Sequence, residues 1–214
     1  IALFHVAEIL IKNGYSVVFA SMLDGPLRET LQERHIPVVV DVNLQWKTMN
    51  EVSWIKNFQL VFCNTIGYFM FLTNRDQTIP AVWWLHDSSF FYEGIREEVL
   101  RSIDRTNLAA FSVGPVPARA IKSMIPDFPV KNLIYGVADH FGRRLEREND
   151  RIVFVTIGYI ESRKGQDILV DAVEQLSPRV REKAVFYLVG QNTSMLAVRL
   201  RHRIENLPQM QMTG

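Results

Sequence analysis

The chain has 214 residues, of which 48% are hydrophobic and 22% are charged, with 11 Gly and 9 Pro. This composition is typical of a globular protein and excludes a disordered, collagen-like or coiled-coil chain. Lys and Arg number 24 against 23 Asp and Glu, so the net charge of +1 gives no reason to expect nucleic acid as a partner, and any anion site must be local.

Cysteine and histidine usage further restricts the kind of site. Cys63 is the single cysteine, which excludes an internal disulfide and a cysteine-rich zinc site and fits a reducing compartment. The five histidines have no metal-ligand spacing, so we expect no metal. No apolar run approaches the roughly 18 residues that a membrane-spanning helix needs, so we predict a cytoplasmic protein.

The first two thirds of the chain alternate between helical and strand patterns. Apolar residues at helical spacing predict a helix over residues 1–12, and Asn13 and Gly14 end it. The predicted strands that follow are 15–20, 37–40, 59–63, 81–85, 108–113 and 130–134. The predicted helices between them are 26–34, 50–56, 65–73, 92–103 and 118–124. Because parallel strands need a crossover, usually a helix, this alternation predicts an α/β domain with a parallel sheet.

Residues 143–151 carry seven charges in nine positions and no apolar periodicity, which predicts a linker, although a solvated helix face remains an alternative. After it, predicted strands 152–157 and 184–189 alternate with predicted helices 165–176 and 194–204, and 209–214 begins another strand. We therefore predict two domains, 1–142 and 152–214. Because the chain starts within a helical pattern and stops at a strand, we expect a fragment of a longer protein.

Polar residues that directly follow strands are the candidate binding residues, because ligands of open parallel sheets lie outside the carboxyl ends of the strands. In the first domain these residues are Asn64, Thr65, His86 and Asp87. The His86 imidazole can hydrogen-bond or take a proton near neutral pH, and the Asp87 carboxylate can orient it or hold its charge. The alternative is a histidine that only caps the end of a strand.

In the second domain, residues 158–165 (GYIESRKG) connect a strand to a helix. Gly158 permits a sharp exit from the strand, Arg163 and Lys164 bring two cations, and Gly165 begins a helix whose free N–H groups favour an anion. This pattern predicts a phosphate site, with Gly190 after the next strand as a further residue lining the cleft. It is neither GxGxxG nor a P-loop, and surface cations without a ligand remain the alternative.

Three segments resemble family 4 glycosyltransferases. IVFVTIGYIESRKGQDILVDAVEQL is similar to the strand, loop and first helix of that family's C-terminal domain, KNLIYGVADHF to its pre-linker segment, and WWLHDSSFFYEG to its central histidine turn. The resemblance implies a GT-B architecture of two Rossmann-like parallel-sheet domains, acceptor-side and nucleotide-sugar-side. The first domain would lack its first strand, and the second would be cut to its first half.

The resemblance also implies an activity: transfer of a hexose, with retention, from a UDP- or GDP-linked sugar to a glycan, glycolipid or protein acceptor, without a metal or other cofactor. Lys164 is then the implied diphosphate contact, Arg163 a weaker one, and Gly158 and Gly165 shape the loop. His86 and Asp87 would lie beside the transferred sugar. A glycine-rich loop and a C-terminal acidic motif of the family are absent, so we expect no turnover from this chain alone.

Two other functions remain open at this point. A sugar-nucleotide epimerase shares the architecture and would release an isomerised nucleotide sugar without an acceptor. A non-catalytic α/β module would bind a phosphorylated metabolite or a partner protein through the same polar residues. Association with the inner face of the membrane and homo-oligomer formation are also left open.

Overall fold

The computed structural model describes residues 2–136 and 151–214, which form two compact units. The predicted linker lies outside the described residues except for Arg151, as does the end of the KNLIYGVADHF segment. Among the described residues, no helix is long and apolar enough to cross a membrane.

Residues 2–136, the described part of the first unit, contain six short parallel strands and five α-helices. The strands are β1 (Phe19–Ser21), β2 (Val38–Val40), β3 (Val61–Asn64), β4 (Ala81–Leu85), β5 (Leu108–Ser112) and β6 (Val130–Asn132). The helices are α1 (Ala2–Lys12), α2 (Leu27–Glu33), α3 (Phe69–Leu72), α4 (Glu97–Arg101) and α5 (Pro115–Met124).

The strands of the first unit pair in parallel, as predicted, but they form two sheets rather than one. One sheet has the order β1-β2 and the other has the order β3-β4-β5-β6. The two sheets are not joined, because β1 and β3 are not hydrogen-bonded to each other. β1 is also shorter than predicted and begins only at Phe19.

Strand β4 lies in the interior of the larger sheet, and its AVWWL sequence is apolar because both of its faces are covered. Trp83 and Trp84 are fully buried. The indole N–H of Trp83 donates to the Thr65 carbonyl at 2.8 Å, and that of Trp84 donates to the Leu133 carbonyl at 3.0 Å. These bonds satisfy the buried indole donors and fix the carboxyl end of β4, where His86 follows.

Three predicted helices of the first unit are broken into shorter turns. Region 50–56 forms the 3₁₀ turns Met49–Glu51 and Ser53–Asn57, because the Thr48–Glu51 capping box pins the first turn and Val52 leaves the helical conformation. Region 65–73 forms the turn Ile66–Tyr68 before α3. Region 92–103 is interrupted by Gly94, whose φ of +84° ends the turn Ser89–Tyr92 and separates it from α4.

The second unit contains a three-stranded parallel sheet of order β7-β8-β9. Its elements are β7 (Ile152–Ile157), α6 (Gln166–Gln175), the short α7 (Pro178–Arg181), β8 (Ala184–Val189), α8 (Met195–Ile204) and β9 (Met210–Thr213). The start of a strand near residue 209 was predicted and α7 was not. Apolar side chains of α6, β8 and α8 form the core, and Arg203 of α8 bridges to Asp171 and Glu174 of α6.

Candidate functional site

The structure brings the four predicted site residues of the first unit to the same edge of the larger sheet. β3 and β4 are neighbours, with Asn64 opposite Trp84, so Thr65 and His86 both follow the carboxyl ends of adjacent strands. The Asp87 carboxylate accepts a hydrogen bond from the Ile66 backbone N–H at 2.6 Å. This bond ties the turn after β3 to the turn after β4.

Thr65 is held in a backbone conformation that only glycine adopts easily, with φ of +76°. Its N–H donates to the Trp84 carbonyl at 2.8 Å, its carbonyl accepts from the Trp83 indole at 2.8 Å, and its hydroxyl accepts from the Gly67 N–H at 3.2 Å. Such strain persists only where the surroundings over-determine it, and it clusters at functional sites. Its presence here favours a functional role for this edge of the sheet.

The His86 side chain is half-buried between two aromatic rings. Its ring centroid lies 4.5 Å from that of Trp84 and 5.9 Å from that of Tyr135. Burial lowers the pKa of His86, and the neighbouring Asp87 carboxylate offsets only part of this effect, so the imidazole is neutral at pH 7. Its Nε2 atom is buried and has no hydrogen-bond partner among the described residues. A ligand that bonded to Nε2 would recover the free energy that an unpaired buried polar atom costs.

Three further side-chain polar atoms of this unit are buried without partners among the described residues: the Asn64 Oδ1, the Tyr92 hydroxyl and the Arg75 Nε. The pKa of Tyr92 is raised by burial and by the Asp87 carboxylate, so the phenol stays protonated. The sequence pattern did not single out Tyr92, and its only signal was a hydroxyl within the apolar run Phe90, Phe91, Tyr92.

The sequence had predicted that Asp87 assists catalysis. In this arrangement its carboxylate positions the neighbouring turn.

In the second unit, glycines follow all three strands and leave the carboxyl edge of the sheet without side chains. Gly158, Gly190 and Gly214 have φ of +151°, +145° and +129°. A Cβ at Gly190 would lie 2.3 Å from the Gly158 carbonyl oxygen, and one at Gly214 would lie 2.3 Å from that of Gly190. Gly214 was not identified from the sequence, because its place beside Gly190 depends on the register of β8 and β9.

The predicted phosphate loop is anchored by Ile160, which is fully buried. The Ile160 N–H donates to the Gln191 carbonyl at 3.1 Å, and the Ser194 hydroxyl donates to the Ile160 carbonyl at 2.6 Å. After the 3₁₀ turn Ser162–Lys164, Gly165 takes a left-handed conformation with φ of +70° and leads into α6. The loop is therefore fixed at both ends before any ligand binds.

The two predicted cations of this loop have different surroundings. The Arg163 guanidinium donates to the Glu161 carboxylate, which offsets its charge. The Lys164 side chain is exposed and has no ion pair with another described residue. Gln166, which the sequence pattern did not single out, is buried at the start of α6, where its amide donates to the Tyr159 carbonyl at 3.1 Å. Its Oε1 has no partner in the described part of the chain.

The candidate residues thus form two groups, one in each unit. The first consists of Asn64, Thr65, His86, Asp87 and Tyr92, and the second of Gly158, Lys164, Gly165 and Gly190, with Arg163 and Gln166 beside them. No cluster of three or more His, Cys, Asp or Glu side chains that could hold a metal ion occurs in residues 2–136 or 151–214.

Comparison with solved structures shows the fold. The whole chain superposes on the glycosyltransferase WaaG, which is involved in lipopolysaccharide biosynthesis, with a TM-score of 0.66 and 12% identity, and spans 65% of that chain. It also superposes on MurG from Acinetobacter baumannii with a TM-score of 0.50 and 12% identity, spanning 61% of that chain. No protein-family profile and no curated protein matches the sequence. The prediction of an α/β fold with parallel sheets is confirmed, and the chain has a GT-B glycosyltransferase fold.

Proposed function

We propose that this chain is part of a retaining glycosyltransferase that transfers a sugar from a nucleotide-sugar donor to a carbohydrate, lipid-linked or protein acceptor. The observation that carries the proposal is His86: in a GT-B fold, a neutral imidazole follows an interior strand and keeps a buried Nε2 without a partner among the described residues. Since ligands of parallel α/β sheets lie at the carboxyl ends of strands, this nitrogen is available to hydrogen-bond a substrate.

In this proposal the first unit supplies the groups beside the transferred sugar. The His86 Nε2 binds a sugar or leaving-group oxygen, and Asn64 and Tyr92 offer a carbonyl oxygen and a hydroxyl in the same unit. Asp87 acts through the turn that it holds, since its carboxylate is bonded to the Ile66 N–H. A neutral imidazole in a half-buried position suits hydrogen bonding to charge that develops in the transition state.

The second unit supplies the diphosphate site. The glycines after β7 and β8 let a phosphate approach the backbone without meeting a Cβ, and the start of α6 adds free N–H groups and a favourable dipole. Lys164 supplies the positive charge, whereas Arg163 contributes less because Glu161 already pairs with it. The diphosphate is then neutralised without a metal ion, so we expect sugar transfer to persist in the presence of EDTA.

Lys164→Ala is expected to weaken binding of UDP or GDP to the natural protein by roughly 30-fold, about 2 kcal/mol, because a charge-assisted contact is lost. Lys183→Ala is the matched control, since Lys183 is exposed in the same unit but precedes β8 and so lies at the opposite edge of the sheet. Isothermal titration calorimetry measures both variants. Equal losses, or none for Lys164→Ala, would remove Lys164 from the donor site.

A donor screen on the natural protein tests the function itself. Release of nucleotide from a UDP- or GDP-sugar, faster with an acceptor present and with the anomeric configuration retained by NMR, is the expected result. Isomerised nucleotide sugar formed without an acceptor would indicate the epimerase. Absence of both turnover and any nucleotide-dependent rise in Tm would leave the non-catalytic module as the function.

A further inference from the structure

The His86 Nε2 atom, which the proposed function assigns to a sugar oxygen, is closed off from solvent. It is buried and has no hydrogen-bond partner among the described residues. The imidazole packs against the rings of Trp84 and Tyr135, whose centroids lie 4.5 Å and 5.9 Å from its own. A ligand oxygen can therefore reach Nε2 only after a neighbouring group has moved.

Trp84, the first of these two rings, is fixed in place. Its side chain is 1% exposed, and its indole N–H donates to the Leu133 carbonyl at 3.0 Å. The Phe62 ring of β3 packs against it nearly at a right angle, with the two centroids 5.8 Å apart. A turn of the indole would break a buried hydrogen bond and leave a cavity, and both changes cost free energy.

Tyr135, the second ring, has no such restraint. Its side chain is 47% exposed, and its hydroxyl makes no hydrogen bond to another described residue. Its ring lies at 33° to the His86 imidazole and at 89° to the Trp84 indole. Exposed side chains change rotamer within nanoseconds, so this ring can turn into solvent without breaking a hydrogen bond to the described part of the chain.

The backbone that carries Tyr135 is held at this edge independently of its side chain. In the sheet β5 lies between β4 and β6, so β6 is about 10 Å from β4, and the residues after β6 must cross the end of β5 to reach His86. The Leu133 N–H donates to the Ser112 carbonyl at the end of β5 at 2.8 Å, and the Leu133 carbonyl accepts from the Trp84 indole. The backbone is thus anchored while the aromatic ring that follows is free to turn.

We propose that Tyr135 is a further residue of the sugar site, whose ring covers the His86 Nε2 in the free protein and turns aside when a sugar hydroxyl or leaving-group oxygen binds there. Trp84 keeps its position on the imidazole throughout. This role rests on the proposed function, in which His86 contacts the sugar. Because only the conformers with Tyr135 turned aside bind, the apparent affinity for the sugar is reduced by the fraction of protein in those conformers.

Acylation of histidine by diethyl pyrocarbonate tests the cover without any enzymatic activity, because the reagent modifies neutral imidazole nitrogens that it can reach. In the 214-residue chain at neutral pH, peptide mass spectrometry should show His86 reacting at least about tenfold more slowly than the exposed His202. Tyr135→Ala should raise the rate at His86 at least about fivefold, because the cover is removed. Tyr135→Phe should react at the wild-type rate, since it keeps the ring.

Two further variants support this comparison. Tyr15→Ala removes another exposed tyrosine of the same unit and should leave the acylation rate of His86 unchanged. Tyr135→Leu, which keeps an apolar side chain but not the planar ring, should also raise that rate, and it repeats the test if the alanine variant does not fold.

Kinetics of the natural protein test the role in sugar binding. Tyr135→Ala should lower the KM of the sugar donor at least about threefold, more than it changes kcat, because the ring no longer has to turn aside before binding. A residue that only supported the fold would lower kcat without lowering KM.

Three results would overturn the proposal: acylation of His86 as fast as that of His202 in the wild type, an unchanged rate at His86 in Tyr135→Ala and Tyr135→Leu, and a KM that does not fall in Tyr135→Ala. The expected acylation rates in a natural protein that transfers no sugar would support the cover over His86 and overturn the proposed function alone.

Discussion

Gly190→Ala is expected to lower the free energy of unfolding of the second unit by about 3 kcal/mol or more. Two costs add: a φ of +145° is strained for any residue with a Cβ, and that Cβ would lie 2.3 Å from the Gly158 carbonyl oxygen. The obstructing atom belongs to the backbone of the neighbouring strand end, so it can move only if β7 and β8 separate. Replacement of Gly190 therefore disturbs the proposed phosphate-binding edge as well.

Gly158→Ala is the matched control for this effect. Gly158 has a similar φ of +151°, but a Cβ there would meet nothing within 4 Å, so this variant isolates the backbone strain and should cost about 1–2 kcal/mol. Hydrogen exchange at β8 amides reports the second unit. All four tryptophans lie in the first unit, so their fluorescence should be unchanged in both variants. Equal destabilisation by the two substitutions would show that the close approach at Gly190 is relieved without cost.

Strands and strand-end residues could be predicted from the sequence because their signal is local. The apolar run 81–85 marks a buried strand, the glycines at 158 and 190 mark the ends of two other strands, and β4, β7 and β8 lie where the pattern places them. The split into two sheets could not be predicted in this way. Whether β1 pairs with β3 depends on residues about forty positions apart. The local apolar periodicity of each strand carries no information about this choice.

Buried polar residues were missed for a related physical reason. The polar sequence around Arg75 is typical of an exposed turn. In the structure Arg75 is only 5% exposed, and its guanidinium donates to the carbonyls of Ile79 and Thr106. Gln166 and Tyr92 are similar cases, since their burial depends on elements that fold over them. The unequal surroundings of Arg163 and Lys164 follow from the nearby Glu161, whose side-chain direction the sequence does not specify.

His86→Ala is expected to lower kcat of the natural protein on the order of a hundredfold, with a smaller change in KM, because the lost hydrogen bond is strongest in the transition state. His202→Ala is the control, since His202 is an exposed residue of α8 and should leave kcat unchanged. His86→Gln tests whether packing alone is responsible, because it keeps a hydrogen-bonding group between Trp84 and Tyr135. An equal loss of kcat in the His202 variant would show that the effect is not specific to this edge of the sheet.

The pH dependence of the free energy of unfolding distinguishes a neutral His86 imidazole from a charged one. The folded-state pKa of His86 is lowered by burial, so the unfolded chain takes up a proton first as the pH falls. His86 therefore destabilises the fold progressively below its ordinary pKa of about 6.5 and has no such effect above it. Denaturant titrations between pH 5 and 8 should show the wild type losing stability relative to His86→Gln only on the acid side. If the difference between the two proteins stays constant across this range, His86 does not titrate as a buried group, and its proposed role as a neutral hydrogen-bonding group fails.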